Sequence, residues 1–144
     1  MTPRQIELVR DSLSIVAADP RRFSALFYNR LFAIHPELRD IFPADMGPQQ
    51  AKFVETLAIV VAALDRLEVI APDLAAMGAR HTGYGTEPHH YEWVRGALNW
   101  ALGQVLRKDF TLDLQLAWNA AYRRVALAMQ QGAACSSSTT SATA

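Results

Sequence analysis

"LAAMGARHTGYG", Leu74 to Gly85, sets one histidine inside a small, apolar, helix-like stretch that stops abruptly at glycine. His81 follows Met77 by four residues and Leu74 by seven, so at 3.6 residues per turn the three share one apolar face. The neighbours Ala75, Ala76, Gly78 and Ala79 are small, so something bulky can approach this helix closely. A histidine on an apolar face is more often a satisfied core residue than a ligand. The rest of the chain has to decide between the two.

Working outward, helix signals dominate and strand signals are nearly absent. Thr2-Pro3-Arg4-Gln5 reads as an N-cap, a proline in the first turn and a capping-box glutamine, followed by Ile6, Leu8, Val9, Leu13 and Val16 at helical period. Asp19-Pro20 repeats the start signal for a helix carrying Phe23, Leu26, Phe27, Leu31 and Ile34, which His35-Pro36 ends. A short segment from Pro36 to Phe42 stops at Pro43, and Ala44 to Gly47 reads as a loop. Pro48 opens a long helix with Phe53, Leu57, Val60, Val61 and Leu64 on one side. Pro72-Asp73 reads as the start of the shorter helix that holds His81 and that Gly83 and Gly85 end. Glu87-Pro88 opens the next helix, with Tyr91, Val94, Leu98, Ala101, Leu102 and Val105 inside. Thr111 is the N-cap of a last helix that buries Leu114, Trp118, Tyr122, Val125 and Met129. The spacing predicts an all-α bundle of six or seven helices in one domain, residues 1–132, followed by a disordered Ser/Thr/Ala-rich tail, 133–144.

Composition narrows the function classes. A chain of 144 residues suits one domain with one core, and 51% hydrophobic residues imply a generous core or one shared with a ligand. Lys+Arg and Asp+Glu number 14 each, so no basic excess points to nucleic acid. The single cysteine, Cys135, excludes a disulfide within the chain. The N-terminal residues are charged where a signal peptide needs an apolar run, and the longest apolar run, Leu57 to Leu64, is far short of a membrane span. A soluble, cytoplasmic protein is the expectation.

Two polar residues stand on apolar faces. Tyr28 falls among Phe23, Phe27, Leu31 and Phe32, so its hydroxyl is expected to be buried and to need a partner. Gln49 precedes Phe53 by four residues, in the first turn of the long helix. Singly, each is as well explained by a backbone bond or a wet helix end. Together with His81 they describe a pocket. An imidazole on one side holds a metal centre, and a phenol and an amide on the other donate hydrogen bonds to what the metal binds.

The stretches "FYNRLFAIHPELRDIF" (27–42), "PQQAKFVETLAIVVAALDRL" (48–67) and "GARHTGYGTEPHHYEWVRGAL" (78–98) resemble the bacterial single-domain globins and the globin half of flavohaemoglobins. A weaker likeness is "AWNAAYRRVALAM" (117–129), and the whole covers about residues 3 to 131. The resemblance implies a globin fold of six to eight helices around haem b, with His81 as proximal ligand to the iron. It further implies that Phe42 packs on the porphyrin, that Tyr28 and Gln49 are the distal polar pair, and that Phe53 lines the distal wall. Met77 shares the face of His81 and is placed against the haem with it. Tyr91 matches a tyrosine that in flavohaemoglobins helps orient the proximal histidine. Lys52 is in register to reach a haem propionate, with a solvated lysine as the alternative. The flavohaemoglobin pattern has a glutamate late in the last helix, whereas this chain reads Gln130-Gln131-Gly132-Ala133, so a weaker electron push from the proximal side is expected.

The function implied is reversible O2 binding for storage, delivery or scavenging, with CO and NO as further diatomic ligands. The alternative is nitric oxide dioxygenation, NO to nitrate, served by an external reductase. A third reading is a haem-based sensor or a haem-free interaction module. The remaining constellations read blandly. His89-His90 beside His81 suggest a zinc site, but a fourth ligand is missing and surface histidines explain the pair better. Arg21-Arg22 and Arg123-Arg124 read as solvated faces, and Trp93, Trp100 and Trp118 as core or helix-interface residues.

Overall fold

A computed structural model describes the backbone of residues 1–143 and the side chains of residues 1–132. Of the expected tail, 133–144 with Cys135, the backbone continues the last helix as far as Thr143, and the side chains lie outside those described. Six α-helices follow one another: α1 (Pro3–Val16), α2 (Pro20–Ile34), α3 (Gly47–Ala62), α4 (Leu67–Gly83), α5 (Pro88–Leu106) and α6 (Leu112–Thr143). Short 3-10 turns, Pro36–Ile41, Leu64–Arg66 and Arg107–Asp109, link α2 to α3, α3 to α4 and α5 to α6. Among the described residues there is no strand, and no helix is long and apolar enough to cross a membrane.

The start signals work as their chemistry dictates. Thr2 Oγ1 accepts the Gln5 amide at 3.1 Å while Gln5 Oε1 accepts the Thr2 amide at 3.0 Å. Asp19 accepts the Arg22 amide at 3.3 Å, and Thr111 accepts that of Leu114 at 3.2 Å. One expected boundary is corrected. Helix α4 begins at Leu67, not at Pro72, and Pro72 sits inside it. Proline there removes only the bond to the Glu68 carbonyl, and Pro72 is exposed, where water can meet that carbonyl. Burial of Leu67 and the packing of Ile70 on the core outweigh the local break.

Helices α1 and α6 meet through a buried polar link: the Trp118 indole donates to Ser12 Oγ at 2.9 Å, and Ser12 Oγ donates to the Val9 carbonyl at 2.9 Å. Trp118 is 3% and Ser12 4% exposed. Ser12→Ala orphans the indole N–H, which is expected to cost about 1–3 kcal/mol in a urea titration. An unchanged midpoint would show that the indole finds another partner. Arg10 ties α1 to the end of α3, donating to the Val61 and Ala62 carbonyls at 3.3 and 2.8 Å and to Asp65 at 2.8 Å. That hydrogen bond from Arg10 holds the Asp65 carboxyl below its usual range.

The tightest contact is between α4 and α6. A Cβ placed on Gly78 would lie 1.9 Å from the Met129 carbonyl oxygen, and one on Gly132 would lie 2.2 Å from that of Ala75. The two backbones therefore touch through reciprocal glycines. What approaches the small-residue face of the histidine helix at Gly78 is thus α6 itself. Helix α3 packs instead on α2 and α1, and α3 and α4 scarcely contact one another. A short link at Leu64–Arg66 joins the two.

Candidate functional site

Ser24 and Tyr28 lie one turn apart on the buried face of α2. Ser24 Oγ donates to the Gln50 carbonyl at 2.8 Å, which pins the first turn of α3 against α2. Gln49 is thereby brought to Tyr28, and its Nε2 donates to the phenol oxygen at 3.0 Å. Burial pushes the Tyr28 hydroxyl up to about 12, with the Gln49 bond opposing, so the group is neutral across the physiological range. Since the oxygen accepts from Gln49, its own proton remains to be donated.

Aromatic rings fix this phenol. Phe53 stacks on Phe27 with centroids 4.2 Å apart and meets Tyr28 at a steep angle at 5.5 Å. Phe42, which follows the first 3-10 turn, meets Tyr28 edge-on at 5.7 Å and Phe32 at 5.3 Å. Phe42 and Phe53 are only half-buried, so each keeps surface for another group. Lys52 is exposed on α3.

Helix α4 carries the other half. His81 Nδ1 lies 2.7 Å from the Met77 carbonyl oxygen. A carbonyl only accepts, so Nδ1 carries the proton and Nε2 presents a lone pair. This is the tautomer a metal ligand needs, held by the bond its other nitrogen makes. His81 and Met77 are half-buried, and the nearest ring to His81 is Tyr84, tilted at 5.9 Å. No hydrogen bond or ring contact joins His81 to Tyr28, Phe42 or Phe53 among the described residues.

Tyr91 lies on α5, the helix that follows His81. Its hydroxyl is buried without a hydrogen-bond partner among the described residues, and His81 Nδ1 meets the Met77 carbonyl. Burial holds the Tyr91 phenol above its ordinary range, so it keeps its proton, and its backbone carbonyl accepts the Tyr122 hydroxyl. Two further contributors escaped the sequence reading, Ser24 and Gly132. Ser24 had a signal, a small polar residue on the apolar face of α2. Gly132 had none that local pattern could supply.

The donor set fits a haem iron on the structure's own terms. It offers a neutral imidazole of fixed tautomer on α4, a buried phenol with an unspent proton on α2, and half-covered aromatic rings at Phe42 and Phe53. A groove along α4 and α6, between Ala75, Ala79 and Ala128, holds none of these groups.

Known proteins resemble this chain. The family model described as Globin matches residues 25–129. The flavohemoprotein of Bacillus subtilis is 29% identical over 126 residues, covering 85% of this chain and 32% of its own length. That of Deinococcus radiodurans is 29% identical over 133 residues, covering 88% and 32%. The chain thus spans about a third of the length of these curated relatives. Among solved structures, an engineered carbene transferase whose parent is a candidate nitric oxide dioxygenase from Rhodothermus marinus superposes with a TM-score of 0.87. It is 25% identical and covers 98% of this chain and 99% of that one. A bacterial globin from Campylobacter jejuni has the same fold, with a TM-score of 0.82 at 21% identity over 92% and 96% of the two chains. Haem binding is implied by that kinship and by the imidazole on α4 alike: the chain belongs to the globin family.

Proposed function

We propose that the chain binds haem b with His81 on the iron and captures O2 reversibly. Haem, when bound, supplies an iron atom that coordinates diatomic gases and exchanges electrons. Phe42, Phe53 and Met77 offer the apolar surface that would hold the ring. Lys52, exposed and beside Phe53, is the cation within sequence reach of a propionate. The observation that carries the reading is the bond from Gln49 to Tyr28. It immobilises a neutral phenol while leaving that phenol free to donate. A buried O–H aimed at a ligand that gains negative charge stabilises it by a charge-assisted bond.

Tyr28→Phe removes that donor and little else. It is expected to cost about 1.5–3 kcal/mol of ligand stabilisation, which is a roughly 10- to 150-fold faster O2 release. Stopped-flow displacement of O2 by CO measures it. An off-rate equal to that of the unmodified chain would remove Tyr28 from the ligand pocket.

A second reading is favoured by the flavohemoprotein relatives and by the dioxygenase parent of the Rhodothermus marinus structure. Nitric oxide dioxygenation converts NO, O2 and one electron to nitrate, the electron coming from an external reductase. Tyr28 and Gln49 suit it as well as they suit storage. Timing NO loss and nitrate yield with an added reductase and its electron donor separates the two. Many nitrates per haem support the enzyme, and a yield that stops at about one per haem supports storage.

A further inference from the structure

Away from the Tyr28 and His81 pocket, three metal-ligating side chains converge at the start of α5. Glu87, His89 and His90 each present one ligand atom, and these atoms all lie within 4.8 Å of one another. The sequence set the two histidines beside His81 and left a fourth ligand missing. The fold sets Glu87 beside them instead, because the turn before α5 brings its carboxylate to His89, with Oε2 3.5 Å from Nε2. The two imidazoles meet edge-on at 4.4 Å, and Trp93 lies beside both, at 4.8 Å from His89 and 5.0 Å from His90. Trp93 is itself held by His35, stacked on it at 3.8 Å with rings 3° from parallel. The histidine side chains are thus backed by packed rings on one side.

We propose that Glu87, His89 and His90 bind a divalent transition cation of the Zn2+ class, at a site separate from the iron ligand His81. Two imidazole nitrogens and one carboxylate oxygen form a set that suits Zn2+, Cu2+ or Ni2+ and not Mg2+ or Ca2+, which take oxygen ligands. Three protein donors leave a position for water. His90 Nδ1 now accepts the Glu87 amide at 3.0 Å, so a cation competes with that cap for the imidazole lone pair. The amide sits at an exposed turn, where water can replace the imidazole. The positive end of α5 opposes the cation, and the Glu87 carboxylate offsets it. The occupied site would staple the turn that joins the His81 helix to α5.

Calorimetric titration of Zn2+ into the purified full chain tests this. One saturable equivalent is expected for the unmodified chain and for His35→Ala. The His89→Ala/His90→Ala double variant should bind at least tenfold more weakly, and Glu87→Gln should be intermediate, each with an unchanged helical circular dichroism spectrum. The absorption spectrum of any bound haem should not move with Zn2+. Absent saturation in the unmodified chain, or equal affinity in the double variant, would overturn the site. A haem spectrum that shifts in step with Zn2+ would also overturn it, by placing the cation at His81.

Discussion

His81→Ala is expected to leave the chain without stably bound haem. The side chain is the one imidazole on the α4 face that carries Met77, and the Met77 carbonyl at 2.7 Å directs its free nitrogen away from the helix. No neighbouring residue replaces it: the nearest ring, Tyr84, is 61% exposed and 5.9 Å away. Loss of the iron bond also removes the stability that a ligand bound only to the native state confers, so the melting temperature should fall with the haem. The Soret absorbance per mole of protein after gel filtration measures retention. Imidazole added to His81→Gly should restore part of the band, because it refills the ligand position. A loss caused only by misfolding would not respond to imidazole. Full retention with an unchanged spectrum in His81→Ala would sink the assignment.

Gly78→Ala is expected to destabilise the chain, where glycine to alanine in a helix ordinarily stabilises. In an exposed helix interior, alanine is favoured over glycine by about 1 kcal/mol. Here the added methyl would lie 1.9 Å from the Met129 carbonyl oxygen, which belongs to backbone and cannot swing aside. Helix α4 must then move off α6, and overpacking of this kind costs about 1–3 kcal/mol. The sign is therefore diagnostic. Gly96→Ala is the control, since nothing lies within 4 Å of a Cβ there, and it should be neutral or stabilising by up to about 1 kcal/mol. Urea midpoints of the two variants report the contrast. Because Gly78 lies one turn before His81, the displaced helix should also broaden or shift the haem spectrum. Equal, stabilising effects at both glycines would mean that α4 and α6 are not in backbone contact.

Much of the helical order was legible in the sequence because its signals are local. Thr2-Pro3, Asp19-Pro20, Glu87-Pro88 and Thr111 mark helix starts by satisfying amides within the next turn, which needs no partner from elsewhere. Pro72 misled because proline is a local signal overruled by a non-local one, the burial of Leu67 and the packing of Ile70. The same divide runs through the candidate site. Tyr28, Gln49 and His81 stood out as polar residues on apolar faces, and that expectation needs only the helical period. The glutamine's partner and the surroundings of the Tyr91 hydroxyl depend on which helices lie side by side, whereas the carbonyl that meets His81 lies four residues earlier on the same helix.

The sequence by itself determined the all-α class, the order of the helices, the apolar face of each and the polar residues those faces carry. Periodicity, capping and chain-local sterics act over one or two turns, so these features are written into short stretches. The tertiary structure alone decided that α4 leans on α6 through Gly78 and Gly132 while α3 leans on α2 through Ser24. It also decided that Glu87 joins His89 and His90. Such contacts join residues by shape, at distances along the chain that no local pattern records. A glycine that admits a backbone and a glycine that merely tolerates water read alike until the neighbouring helix is in place.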